Sequence, residues 1–544
     1  MLGKIFNSKT NNFTFAAFLI ALSTFLSGAL GLMRDRLLAG SFGAGRTLDI
    51  YFAAFRIPDF LQAVLVAGGI GATFLPVFSK EFERGKEKAF KFANNILNCS
   101  LFALLIISLV LFLFTPQVLK FITPGFTQQE ILKTAFLTRI MFLSPIFFCL
   151  SAILSGVLQY FDRFLVYSLA PILYNLGIIL GIVLFVPIFG TYGLAIGVIF
   201  GAFLHFLIQV PAAKNVGFYY SKIFNPKDEA LLKITKLTIP SAIGSGFSQI
   251  NLIVITALAS TLIPGSIAIF NFSKNLQYFP VGMIGVPFAI SAFPALSRSW
   301  AGKQKEKFWE YFSLAFRQIL FLTIPISFLV FLLRAQIVRI VLGAGLWGWL
   351  ETRLTAACLG IFALSIFSSS LNPLFQRGFY SIHDTKTPTI IQILDVFMNV
   401  GFAILFLKLL GFSNPISNFL SNFLKLRDIK NIQIIAFPLA MGICDILQAI
   451  ALFYIFVRKI DSFSLFGIFK FLKNILILTF FMSIGVRFIL KPLAGIFALS
   501  TFWGVFFQTI FASLFGALIY LLGAFLLKSP ELKNLTNSIL KRES

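Results

Sequence analysis

The stretch LGLMRDRLLAGSFGAG, residues 30–45, places Arg34, Asp35 and Arg36 in the second half of a segment whose first half, from Phe13, is apolar. A charge in the middle of a bilayer costs about 2.5–3.5 kcal/mol on insertion scales, so such residues face a water-filled cavity or a partner. An arginine in that setting offers a planar fork of donors suited to a carboxylate or a phosphate. Successive helical residues point about 100° apart, so the three charges do not share a face. Ser27, Gly31 and Arg34 do share one, and this small, polar stripe ending in a guanidinium suits a helix that lines a cavity. The alternative places all three charges at the membrane mouth, with Asp35 neutralising an arginine.

Further charges fall inside apolar runs: Asp49, Arg56 and Asp59 early in the chain, then Lys274, Arg377, Asp395 and Asp445. Arg56 lies two residues before Pro58, and Lys274 six before Pro280. A proline removes a backbone donor and bends a helix, and Gly68 and its neighbouring glycines add room to bend or to pack closely. A cation beside a bend in each half suits a cavity that holds an anion and opens to alternate sides. Between Ala230 and Lys305 there is no Asp or Glu, so Asp395 and Asn399, one turn apart, are the best candidate ion-coordinating pair. A hydrogen bond between helices would explain that pair equally well.

Other chemistry is poorly supplied. The four cysteines and two histidines are scattered, without the spacing of a disulfide framework or a zinc centre. A membrane enzyme would need clustered carboxylates, a metal site or an acid/base histidine, and His383-Asp384 is the one such pair.

The elements that position these residues follow from composition. The chain has 544 residues, 58% hydrophobic and 12% charged, against roughly 25% charged in soluble domains. It reads as an all-α integral membrane protein. Apolar segments lie at 13–38, 48–79, 89–115, 134–159, 164–186, 191–212, 234–262, 266–298, 309–333, 354–380, 388–410, 432–457, 468–489 and 499–527, predicting fourteen transmembrane helices. The first segment runs into charge without a small-residue cleavage site, so it reads as a retained helix. Lysine-rich loops follow the second, sixth, eighth and fourteenth segments, which predicts cytoplasmic termini, although LKLRDIK at 424–430 is an exception. The net charge of +25 is dispersed among spans, which argues against nucleic acid and for lipid head groups or an anion-binding interior.

One internal echo divides the chain. Pro76, Ser79, Lys80 and Phe82 at the end of the second segment recur as Pro294, Ser297, Arg298 and Trp300 at the end of the eighth. The expected organisation is two pseudo-symmetric six-helix lobes, 1–213 and 233–459, joined by a cytoplasmic linker at 214–232. Two extra C-terminal helices and a tail fill 460–544.

Several motifs together point to a family: S-x-x-L-G-x-x-R-D from Ser27, F-G-x-G-x-x-x-D from Phe42, A-F-x-x-P from Ala54 and A-x-F-x-P from Ala72. GVLQYFDRF from Gly156, NLQYFPVGMIGV from Asn275 and RGFYSIHDTKTP from Arg377 extend them. Over essentially its whole length the sequence resembles the MurJ (MviN) lipid II flippases of the multidrug and polysaccharide exporter superfamily. The resemblance implies MATE-like lobes around a cationic cavity for the diphosphate and sugar-peptide head group, with a groove by the last two helices for the polyprenyl tail. By matching position it makes Arg34, Asp35 and Asp49 cavity residues and Arg56 a basic position. Gln62, Lys274 and Asn275 join these as candidate substrate contacts, supported by Ser27, Gly31, Pro58, Gly68 and Pro280.

Departures stand beside the likeness. The family usually has arginines where this chain has Gly28, Gln62 and Asn275, a glutamate at Ala67, and in several relatives a sodium-binding carboxylate at Ile255. The implied activity is transfer of lipid-linked peptidoglycan precursor between leaflets of the bacterial inner membrane by a monomer using alternating access. No cofactor is expected, the membrane potential would drive the step, and the coupling ion stays open. The nearest rival is a flippase for another polyprenyl-diphosphate glycan.

Overall fold

The computed structural model describes the backbone of residues 13–429, 431–460 and 465–540. Among the described residues every regular element is helical, as expected where lipid supplies no partner for backbone N–H and C=O groups. Among the described residues eleven helices are long and apolar enough to cross a membrane, or twelve if Trp349–Ala363 and Ile366–Ser381, which meet at 48°, form one span. For convenience the helices keep the order of the apolar segments.

The two segments expected to bend are both interrupted. The second consists of Arg46–Ala54, Arg56–Leu61, a π-helical stretch Gln62–Ile70 and Gly71–Glu83. The eighth consists of Ser266–Pro280, a π-helical stretch Val281–Gly285 and Val286–Ala301. Each π stretch comes after a proline, four residues past Pro58 and directly after Pro280. Of Ala67 and Gly68 only the backbone is described. The exits echo as well: each helix ends in a left-handed residue nine positions after its proline, Gly85 (φ 133°) after Pro76 and Lys303 (φ 54°) after Pro294.

The chain packs as two compact units that meet in sequence between Ala268 and Ile269. The seventh helix, Glu229–Ser260, therefore belongs by its packing to the first unit, where Gly246 lies against Val64 of the π stretch. In that unit the fifth helix, Phe164–Leu180, approaches the sixth, Tyr192–Leu207, so closely that a Cβ on Gly177 would stand 2.2 Å from Gly201 Cα. Only glycine allows that backbone contact.

The second unit is built around aromatic packing. Phe312, Phe375 and Phe456 interlock, with Phe312 and Phe456 ring centroids 4.4 Å apart. Helices Leu465–Ile496 and Phe502–Leu526 lean on the ninth, Lys305–Leu342, where the Tyr520 hydroxyl donates to Phe321 O at 2.8 Å.

Candidate substrate site

Arg34 sits at the centre of a polar cluster in the first unit. Its Nε and Nη2 both donate to Asp35 Oδ1, at 3.0 and 2.8 Å, and its Nη1 donates to Asn175 Oδ1 at 3.1 Å. Asn175 Nδ2 in turn donates to Ser27 Oγ at 3.1 Å and to Ser27 O at 3.2 Å. Gly31 completes the stripe, since a Cβ there would lie 3.8 Å from Asn175 Oδ1. The Ser27, Gly31, Arg34 face thus runs along the fifth helix at Asn175. Asp35, on a neighbouring face of the helix, is nevertheless reached because the long Arg34 side chain curls back to it.

The two members of the pair differ in access. Asp35 is 1% exposed, whereas the Arg34 side chain retains 21% exposure. A guanidinium has five N–H donors, and three are engaged in these bonds. Two N–H groups remain on the terminal nitrogens, the number needed for bidentate contact with a phosphate or carboxylate. Tyr51, Tyr174 and Asp59 lie within electrostatic reach of this cluster.

Asp49 and Arg56 have separate partners. Asp49 is 1% exposed and accepts from Gly265 N at 2.7 Å and Ala268 N at 3.0 Å, with Arg46 Nη1 at 3.7 Å. It therefore holds the start of helix Ser266–Pro280, satisfying N–H groups that a helix end leaves open. Gly265 adopts φ +92°, and a Cβ there would stand 2.2 Å from Ala44 O, so the turn meeting Asp49 requires glycine. Arg56 is 5% exposed and its Nε donates to Thr256 Oγ1 at 2.7 Å. Beside Thr256, Ile255 is buried. Gln62 is half-buried within the π stretch, and Pro58 is buried in Arg56–Leu61.

A second polar cluster lies in the second unit. Asp445 Oδ2 accepts from Ser369 Oγ at 2.6 Å, and Gln277 Nε2 donates to Ser369 Oγ at 3.2 Å. Lys274 and Asp395 both lie within electrostatic reach of Asp445. Among the described residues no hydrogen bond reaches the Asp395 carboxylate, and Asn399 Oδ1 is buried without a donor. Cys444 lies beside Asp395, Asp445 and Asn399. Asn275 is half-buried on the same helix as Lys274, and Pro280 closes that helix.

The motifs of the sequence do not mark Asn175, Thr256 or Ser369. A signal was present for the first, since Asn175 is a strongly polar residue in the apolar run APILYNLGIIL. His205 is held in a buried chain with Ser151 at 2.7 Å, and Gln209 ties Ser151 to Ser155. That arrangement joins the fourth and sixth helices, and the three buried cysteines are core residues. Among the described residues no group of three or more His, Cys, Asp or Glu is placed to hold a metal ion.

The interrupted helices and buried charges sit in an all-helical fold of the MATE-like kind. A solved multidrug-resistance MATE family transporter of the MOP superfamily, in an inward-facing conformation, matches with a TM-score of 0.65 at 15% identity, covering 82% of this chain and 98% of that one. The family model described as lipid II flippase MurJ matches residues 38–508, and the chain belongs to that family. A "Probable lipid II flippase MurJ" of Borreliella burgdorferi is 29% identical over 72% of this chain and 78% of its own length. A protein of the same description from Rickettsia prowazekii is 26% identical over 71% and 77%. The solved structure titled "Lipid II flippase MurJ, inward closed conformation" matches with a TM-score of 0.75 at 23% identity, covering 94% of this chain and 98% of that one.

Proposed function

We propose that this chain moves lipid II, the polyprenyl-diphosphate-linked peptidoglycan precursor, from the inner to the outer leaflet of the bacterial cytoplasmic membrane. Family membership supports the substrate, and the observation that carries the mechanism is Arg34. Its charge is held between Asp35 and Asn175 while two N–H groups remain for a phosphate. A diphosphate bears about two negative charges, and an inside-negative potential favours its outward movement by about 2.3 kcal/mol per charge per 100 mV. The same potential favours return of the empty, cationic site.

The proposed topology is fourteen spans in two six-helix lobes plus two, with both termini cytoplasmic, working as a monomer. Helix Phe13–Phe42 and the interrupted stretch from Arg46 to Glu83 would complete that number beyond the twelve long apolar helices. Gln62 and Asn275 would contact the head group by hydrogen bonds where relatives use charge.

A second reading concerns coupling. Asp395, Asp445 and the donorless Asn399 Oδ1 are an acceptor-rich set suited to a cation or a proton, which would ride with one stroke of the cycle. The test is translocation of labelled lipid II in reconstituted vesicles, with and without a potential and with sodium replaced. Complementation of cells depleted of their own lipid II flippase separates lipid II from another polyprenyl-diphosphate glycan. Full translocation by Arg34→Ala would overturn the clamp.

A further inference from the structure

The segment between the sixth and seventh helices carries an arrangement that lies outside the candidate substrate site. Helix Lys86–Leu113 presents Asn94, Asn95 and Asn98 near its start. Asn94 donates to Tyr219 O at 3.0 Å and accepts from Ser221 N at 2.9 Å. Asn95 donates to Asn225 O at 2.9 Å and accepts from Asn225 N at 2.7 Å. Asn98 donates to Ser221 O and Ile223 O at 3.0 and 2.8 Å. Residues 219–225, which form no regular element, are thereby strapped to the helix by six side-chain to backbone bonds.

The amides fix the backbone and leave the side chains outward. Tyr219, Tyr220 and Phe224 are 67%, 63% and 50% exposed, and Lys214, Lys222 and Lys227 are exposed around them. Asp228 is occupied in capping the seventh helix through Leu231 N, so Glu229 alone among the neighbouring acids is exposed and uncommitted to the cap. Phe224 packs edge-on to Phe102 at 5.3 Å. Phe102 begins a row of outward apolar residues with Leu105, Ile106 and Leu109 on a helix that reads as a membrane span. The strap therefore lies on the lipid-facing perimeter, one to two turns before the hydrocarbon face begins. That is head-group depth, at the end of the helix that also carries Lys86, Lys88 and Lys91.

We infer that residues 214–227 form a binding surface for anionic phospholipid, with the tyrosines at the interface, Phe224 among the acyl chains and the three lysines on head-group phosphates. Aromatic residues concentrate at interfaces, and each lysine near an anionic surface adds to the attraction.

The full-length protein carrying Tyr220→Trp, reconstituted in nanodiscs, provides the test. Its emission, taken as the difference from the unsubstituted protein, is quenched by brominated phosphatidylglycerol or by brominated phosphatidylcholine at equal mole fraction. The expected result is several-fold stronger quenching by phosphatidylglycerol, with the preference lost in a Lys214→Gln, Lys222→Gln, Lys227→Gln background. These lysines are exposed, so an unchanged melting midpoint confirms that the fold survives. Equal quenching by the two lipids in the lysine-bearing protein overturns the proposal, as does absence of quenching, which would place the strap in water or under a protein partner. Quenching needs no transport, so the outcome stands apart from the flippase reading.

Discussion

The carboxylates of the two units are treated differently. In the first, Asp35 accepts two bonds from the Arg34 fork and Asp49 accepts from backbone N–H groups, so both acids are paired and buried. In the second, Asp445 holds one serine hydroxyl, and Asp395 receives no hydrogen bond among the described residues. Well-paired acids hold structure in place. Sparsely paired acids have more acceptor capacity to spare, and a cation or proton is what satisfies it.

The largest effect should come from Arg34→Ala, expected to cut lipid II translocation in vesicles by about 100-fold, the worth of two charge-assisted hydrogen bonds. Arg34→Lys keeps the charge without the fork and should recover only part of the rate. If the lysine variant is fully active, charge alone suffices and the bidentate contact is wrong. Next, Asp49→Ala should lower stability by about 3 kcal/mol, read as a depressed melting midpoint in detergent, because it strands buried N–H groups. No dependence on sodium should accompany the loss.

Asp395→Asn is the converse case. Stability should change by less than about 1 kcal/mol, since no donor is lost, while any dependence of transport on sodium or pH should disappear. A large drop in melting temperature with unchanged ion dependence would erase the distinction between the two sets of acids.

The smallest effect concerns Asp428, in the loop before the twelfth helix. The Arg353 guanidinium, 2.5 Å away, holds its carboxyl down to about 2. A depressed carboxyl stabilises the fold above its unfolded value of about 3.9, and the contribution fades as pH falls toward the folded value. Protection of the amides in residues 424–429, taken relative to their intrinsic exchange rate, should therefore fall between about pH 4 and pH 2, and Arg353→Gln should remove that step. Asp384 follows the same sign: burial pushes it up, but Lys459 and Thr387 outweigh this and hold it below its ordinary value.

Most of the long apolar helices, the interruptions after Pro58 and Pro280 and the repeated exits were legible because hydropathy, proline and loop charge act locally. Two polar contacts were less legible. Asp35 as the neutraliser of an arginine belonged only to the alternative placement at the membrane mouth, because the 100° step between neighbours separates Cβ directions. An arginine has enough reach to turn back onto its neighbour, so the face argument fails for long side chains. Asn175, 141 residues from Arg34, becomes its partner only once the fifth helix packs on the first. The set Asn94, Asn95 and Asn98 was visible in NNILN, yet its partners are backbone atoms of an irregular segment, which no side-chain pattern encodes.

The π stretches in the second and eighth helices carry a mechanical consequence. A π turn holds roughly one residue more than an α turn, so each of these helices contains a dislocation that can migrate along the rod while nearly all of its hydrogen bonds persist. Each step of migration would rotate the side chains it passes by about 100°. Gln62 already lies inside one dislocation, and Lys274 is less than two turns from the other. Re-aiming either side chain then requires no unfolding of the span, only the travel of a fault that the sequence has already built in.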